Sequence, residues 1–191
     1  MGSSDSYLLL VALVALERAV ELVVARRNRR WTLARGGVEA GRRHYPFIVA
    51  AHSALLLACP IEVALGHRPF LPVLGWPMLA LVVLAQCLRW WCVMTLGPYW
   101  NTRVIVVPGA AQIRRGPYRF LRHPNYLAVV IEGSALPLVH TAWLAAGCFT
   151  FVDAILLTNR LKCENQALYW SLRVRGDREA RRSAEPGTPA R

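Results

Sequence analysis

The chain has 191 residues, enough for one domain. It is 55% hydrophobic yet carries 23 Lys and Arg against 11 Asp and Glu, a formal net charge of +12. Long apolar runs alternate with arginine clusters, which is the pattern of a multi-span membrane protein and leaves no soluble core for a nucleic-acid-binding patch to decorate.

Cys59, Cys87, Cys92, Cys148 and Cys163 are odd in number, lie mostly inside apolar runs and form no C-x-x-C. Neither a zinc site nor a disulfide framework is expected, and no metal is called for. The start, MGSSDS, fits the loose myristoylation pattern through Gly2 and Ser6. No basic segment precedes the apolar run that follows, so a cleaved signal peptide is not expected.

Residues 7–25 are an apolar run just long enough to span a bilayer, and they contain Glu17, Arg18 and Glu21. Charges inside a span are costly and should face the bundle interior. Glu17 and Glu21 share a face at i, i+4, and Arg18 and Glu21 are i, i+3 neighbours. An interhelical ion pair with Arg89 and a polar pocket lining are the two readings. Residues 26–43, RRNRRWTLARGGVEAGRR, hold seven arginines and one glutamate and read as a loop turning at Gly36-Gly37. Residues 46–65 are a second span, in which His52 and Glu62, each taken alone, read as packing residues. The turn at 66–69 carries only His67 and Arg68 as charged or titratable groups.

Residues 70–96 are a third span, with Pro72 and Pro77 suited to the start of a helix. Gln86, Arg89, Trp90 and Trp91 crowd its far end. The tryptophans read as an interfacial belt, and Arg89 as a side chain that snorkels toward it. Residues 97–123 form a second basic loop with Arg103, Arg114, Arg115, Arg119 and Arg122; the apolar run at 104–107 is too short to span. Residues 124–139 and 141–158 are short apolar runs, the second containing Asp153, and the connector at His140 has no arginine or lysine. A tight helical hairpin fits both. Leu157, Leu161, Glu164 and Leu168 lie along one face, so the last helix should continue beyond the membrane. Residues 175–191 read as a charged, disordered tail.

The expected fold is all-α, a polytopic membrane helix bundle of about five transmembrane helices ending in a C-terminal hairpin. The arginine-rich segments and arginine-poor turns place the N-terminus outside and the C-terminus in the cytoplasm. Lysine is almost absent (Lys162 alone), which points to a bacterial cell membrane.

The chemistry-bearing residues gather at the two ends of the hairpin. Arg122, His123, Pro124 and Tyr126 precede its first helix, and Arg160 and Glu164, themselves i, i+4 neighbours, follow its second. A hairpin brings its ends together, so these groups should converge at the cytoplasmic boundary. Pro124 fixes the first helical turn, where its missing N–H costs nothing. No G-x-G-x-x-G, P-loop, H-E-x-x-H or G-x-S-x-G is present, so a nucleotide-type cofactor would bind without a Rossmann or phosphate loop.

RRGPYRFLRHPNYLAVVIE, followed some way on by NRLKCENQAL, resembles the isoprenylcysteine carboxyl methyltransferase family, whose hallmarks are an R-H-P-x-Y element and an R-(I/L)-x-x-E-(E) element after the last span. The resemblance covers residues 100–172, and it is nearer to short bacterial members, some acting on alkylpyrones and alkylresorcinols. Asn165 stands where the family usually has a second glutamate. The resemblance implies S-adenosylmethionine as cofactor, with His123, Pro124, Tyr126 and Glu164 in its binding site. Arg122, Arg160 and Glu164 would serve catalysis. Residues 1–96 would form a three-span membrane region, 97–175 the methyltransferase core and 176–191 the tail.

The expected activity is O-methylation of a lipid-like acceptor, a long-chain alkylpyrone or phenolic lipid hydroxyl. A prenylated cysteine carboxylate is the alternative acceptor, and a non-catalytic lipid-binding protein the alternative class. The expected partners are the bilayer and a lipophilic small molecule, with no nucleic acid. A carboxylate acceptor is already ionised, whereas a phenol, with a pKa of about 10, needs a base; His123 and Glu164 are the candidates.

Overall fold

The computed structural model describes residues 2–110 and 113–184. Five helices dominate: α1 (Ser3–Leu33), α2 (Tyr45–Leu65), α3 (Pro72–Leu96), α4 (Pro124–Leu138) and α5 (Trp143–Ala184). Two three-residue strands, β1 (Val38–Ala40) and β2 (Val104–Val106), pair antiparallel with Glu39 opposite Ile105. The chain is an all-α membrane protein, as its apolar runs require.

Prolines sit in the first turn of α2, α3 and α4. There the fixed backbone angle favours a helix and the absent N–H breaks no bond. α2, α3 with its following turn (Pro72–Tyr99) and α5 up to Ser171 are long and apolar enough to cross a bilayer. α4 is different. Its 15 residues rise about 22 Å, short of a hydrocarbon core of about 30 Å. It is packed between α3 and α5.

The helices pack in the order α3, α4, α5, α2, α1. Long polar side chains close the ring between α1 and α3: Arg18 donates to Gln86 at 3.0 Å, and the Trp90 indole donates to Glu17. The outer surface is strongly apolar, with Leu13, Leu57, Val73, Leu84 and Phe151 exposed. Apolar exposure on that scale marks a surface that faces lipid.

The inside divides into two halves along the helices. One end is apolar, with Val11, Leu55, Cys59, Val82, Leu136 and Phe149 in a single cluster. It is closed by the hairpin turn, where Thr141 adopts a left-handed φ of 54° and its hydroxyl donates to Pro69 O at 2.8 Å. Glu62 caps α5 by accepting from the backbone N–H of Leu144 (3.2 Å) and Ala145 (2.7 Å). An anionic carboxylate is favoured at that positive helix end.

The other half begins with a buried ionic layer. Arg89 pairs with Glu132 at 2.6 Å and with Glu21 at 3.5 Å. Arg18 pairs with Glu21 at 2.6 Å and with Glu132 at 3.3 Å. Arg89 is 4% exposed and Glu132 7%. Arg89 therefore does not snorkel to the interface, because two carboxylates at its own depth already satisfy its charge. Trp91 is exposed as an interfacial residue should be, but Trp90 turns inward to Glu17.

Two further expectations change. Residues 26–33 continue α1 instead of opening a loop. Asn28 and Thr32 on the buried face of that extension bond to Trp100 O at 2.8 Å and Pro98 O at 3.3 Å. A helix whose last turns bind the neighbouring segment has no reason to stop at the membrane boundary. At the other terminus α5 runs to Ala184, well into the stretch expected to be irregular, and the rest of that tail lies outside the described residues.

Glu132→Ala would leave the buried Arg18 and Arg89 sharing Glu21, with one positive charge of the layer uncompensated. A loss of about 3–5 kcal/mol is expected in thermal or denaturant unfolding in detergent. The double variant Arg89→Met/Glu132→Leu should recover most of that loss, because it removes the charges together.

Candidate active site

The hairpin brings its two ends to one point, and that point is the Tyr126 hydroxyl. Tyr126 lies in the first turn of α4 and donates to Glu164 of α5. Arg160, one turn earlier on α5, donates its Nε–H to the same oxygen at 2.9 Å. Its guanidinium carbon also stands 5.1 Å from the centre of the Tyr126 ring. Arg160 and Glu164 are thus joined through tyrosine.

His123 completes the group. Its ring stacks on Tyr126, with centroids 5.3 Å apart and planes 7° from parallel. Its Nδ1 is 3.7 Å from Glu164 Oε1. Pro124 makes this possible. It ends the loop in a non-helical His123 (φ −132°, ψ 60°) and begins the helix at the next residue, so residues 123 and 126 rise together beside α5. Pro124 is itself fully buried. Asn165 is exposed, and Glu164 is the carboxylate that meets Tyr126.

Two cavities meet at this cluster. The first has about 670 Å³ of empty space and is walled by Arg122, His123, Tyr126, Arg160, Glu164 and the strand β2. The second has about 880 Å³ and lies inside the helix ring, where α1 supplies Arg18 and Glu21, α2 His52, α3 Arg89 and α5 Asp153. Trp100, Asn125, Tyr126 and Arg160 line both. Of the residues expected at the site, Arg122, His123, Tyr126, Arg160 and Glu164 line the first cavity, with Arg122 exposed, whereas Pro124 lines neither cavity.

Sequence reading missed several parts. The sheet β1–β2 ties the first basic segment to the second and sets β2 along the cavity. Glu39 in β1 anchors it, accepting from Arg103 at 2.6 Å and Arg29 at 3.0 Å, with Arg42 at 3.3 Å. Three-residue strands carry no readable periodicity, but a lone glutamate in an arginine run was a usable signal. Glu132 was missed within an apolar helix, although any carboxylate there needs a partner. His52 read as a packing residue and Asp153 was given no role, and their shared cavity appears only in three dimensions.

Titration follows the surroundings. Burial pushes the Glu39 carboxyl up, but hydrogen bonds and charge from Arg103 and Arg29 outweigh it and hold the group below the usual glutamate range. Burial, then the neighbouring Cys92 thiol, push the Tyr118 hydroxyl well above its ordinary value. Tyr118 therefore enters the first cavity as a neutral hydroxyl.

A lipid-facing helix ring with a basic, carboxylate-bearing cavity at one end defines a polytopic membrane protein. Residues 78–170 match the model of the isoprenylcysteine carboxyl methyltransferase family. The chain belongs to that family, a class of integral-membrane methyltransferases. It is similar to an uncharacterized protein, YpbQ, of Bacillus subtilis, with 37% identity over 161 residues, 84% of this chain and 95% of the relative. It is also similar to an uncharacterized protein of Haemophilus influenzae, with 25% identity over 154 residues, 79% of this chain and 88% of the relative.

Glu39→Gln should cost about 1–3 kcal/mol in unfolding experiments near neutral pH, as expected for charge-assisted hydrogen bonds. Because the folded carboxyl titrates below its unfolded value of about 4.3, this contribution is present above that value. It is lost as pH falls through the lower folded one. The difference between native protein and variant should be flat at neutral pH and close in acid.

Proposed function

We propose that the protein is an S-adenosylmethionine-dependent O-methyltransferase of a lipid-like acceptor, with the cofactor in the first cavity and the site on the cytoplasmic side of a bacterial cell membrane. The observation that carries this reading is the Tyr126 hydroxyl, which binds Glu164 and Arg160 at the junction of the two cavities. The donor set suits the cofactor. Arg122 and Arg160 offer guanidinium forks to a carboxylate. Glu164 offers an acceptor to an ammonium or ribose hydroxyl, and the stacked His123–Tyr126 pair offers an aromatic face to a cation. When bound, the cofactor would supply an electrophilic methyl group on a positively charged sulfur.

The chain's own residues do the remaining tasks. Tyr126 and Arg160 stand in the walls of both cavities, so a ligand on each side is held against the same pair. Oriented contact of that kind replaces a bimolecular encounter. Glu164 and Arg160 fix the tyrosine between them, so the junction is set before either ligand arrives. On α2 and α5 the second cavity is lined by Ile48, Val49, Leu56, Leu156 and Leu157, which suit an alkyl chain. The arginines of the helix ends and loops support the orientation through the positive-inside rule.

Radiolabelled S-adenosylmethionine should bind the purified protein in detergent. His123→Ala and Glu164→Ala should weaken that binding tenfold or more, about 1.4 kcal/mol each, with circular dichroism and gel-filtration profile unchanged. Binding equal to native in both variants would overturn the site. Incubating membranes with the labelled cofactor separates acceptors: label in extractable lipid supports the reading, and label confined to protein replaces it with a prenylcysteine acceptor.

A further inference from the structure

The second cavity holds more polar chemistry than an alkyl chain requires. His52 and Asp153 face it from α2 and α5, in addition to the ionic layer at its side. Asp153 is 5% exposed. The two groups interact electrostatically across the cavity. Asp153 is seven residues before Arg160 on the same helix, about 10 Å deeper along the axis.

The histidine's proton is located by geometry. His52 Nδ1 lies 2.9 Å from Ile48 O. A carbonyl oxygen only accepts, so Nδ1 carries the hydrogen and Nε2 carries the basic lone pair. Phe149 packs edge-on against the ring at 5.1 Å and holds its plane. That is the arrangement of a fixed proton acceptor with a carboxylate nearby to balance the charge it gains.

The cavity also contains unused hydrogen-bonding capacity. Arg18 Nε, Trp100 Nε1 and Asn125 Oδ1 are buried without a hydrogen-bond partner, and all three residues line it. Trp100 is 2% exposed. Buried polar atoms are nearly always satisfied in a working structure, so the Arg18 and Trp100 N–H groups await an oxygen and Asn125 Oδ1 awaits a donor such as a hydroxyl. The charged groups facing His52 are Arg18 and Glu21 from α1, Arg89 from α3, Glu132 from α4, and Asp153 and Arg160 from α5. The two arginines of the layer and Arg160 give an oxyanion cationic neighbours.

Resting on the methyltransferase reading above, we propose that this cavity is the headgroup chamber for the acceptor, an oxygen-rich ring bearing a weakly acidic hydroxyl, and that His52 accepts the hydroxyl proton. The O–H bond breaks, its electron pair stays on the acceptor oxygen, and the proton forms an N–H bond at His52 Nε2. Imidazolium and oxyanion replace two neutral groups. Asp153 faces the cation, while the Arg18 and Trp100 N–H groups face the anion. The assignment frees His123 for the first cavity, so one histidine need not be both base and cofactor ligand. It also sets specificity, since a carboxylate acceptor gives His52 no proton to take.

The probe is a long-chain alkyl nitrophenol, whose phenolate absorbs visible light and whose phenol does not. Titrated with the full chain in detergent and no cofactor, the bound probe should ionise at least about one pH unit lower than in detergent alone, the shift that nearby opposite charge produces. His52→Phe and His52→Gln should each abolish most of that shift. Both should still bind labelled S-adenosylmethionine as native protein does, which certifies folding and an intact first cavity. No shift with native protein overturns the chamber, and an unchanged shift in both variants overturns His52. Failure of native protein to bind the cofactor would instead sink the methyltransferase reading, so the two failures are distinguishable.

Discussion

The ionic layer of Arg18, Glu21, Arg89 and Glu132 constrains everything built above it. A charge within a bilayer is costly unless paired at its own depth. Here α1 contributes one arginine and one glutamate, paired within the helix at 2.6 Å, α3 an arginine and α4 a glutamate, and three further pairs cross between helices at 2.6–3.5 Å. None of the three helices can slide or rotate without breaking a pair. The layer therefore sets the relative depth of α1, α3 and α4. It also divides the apolar end of the bundle from the end that holds the two cavities meeting at Tyr126.

That fixed depth is what lets a short helix serve. α4 cannot cross a bilayer alone, and its apolar length alone would leave its position loose. Pinned by Glu132, its first turn is held two turns away at the junction of the cavities, with Pro124 and Tyr126 in place. α5 then needs only to be long, because residues 160 and 164 fall one helical turn apart and meet the tyrosine from the same side. The site is a consequence of register: Tyr126 is held from α4 by the layer and from α5 by Arg160 and Glu164.

The spans were legible because bilayer thickness imposes a length that composition reveals. The meeting of His123 and Tyr126 with Arg160 and Glu164 was legible because a tight hairpin leaves its ends no other arrangement. The extension of α1 through Arg26, Arg27, Arg29 and Arg30 was not. Arginine clusters mark a membrane boundary by charge, but arginine is a good helix former and nothing in that run breaks a helix before Gly36. The sheet was hidden because three residues show no period, and its stability comes from Glu39 meeting arginines from distant parts of the chain. Of the two readings of Arg89, the interhelical ion pair with α1 is observed, whereas snorkelling is not, because that rule assumes that no partner lies at depth and Glu21 and Glu132 are such partners.

On the proposed reading, the membrane setting is itself part of the chemistry. When bound, the cofactor would supply a positively charged methyl donor, and methyl transfer to an oxyanion would cancel both charges. Water would stabilise the separated charges most and slow their collapse, whereas a site with fixed dipoles in place of water does not. Such a site must still tolerate the charges beforehand. The ionic layer provides that tolerance without mobile solvent: its guanidinium and carboxylate groups are already oriented by one another, and little reorganisation remains when a proton moves to His52. The same pairs that fix the helices in depth would then hold the electrostatic environment constant through the reaction. This gives a physical reason for α1 and α3, which carry none of the hairpin's motif residues, to bear charged side chains at the level of the second cavity.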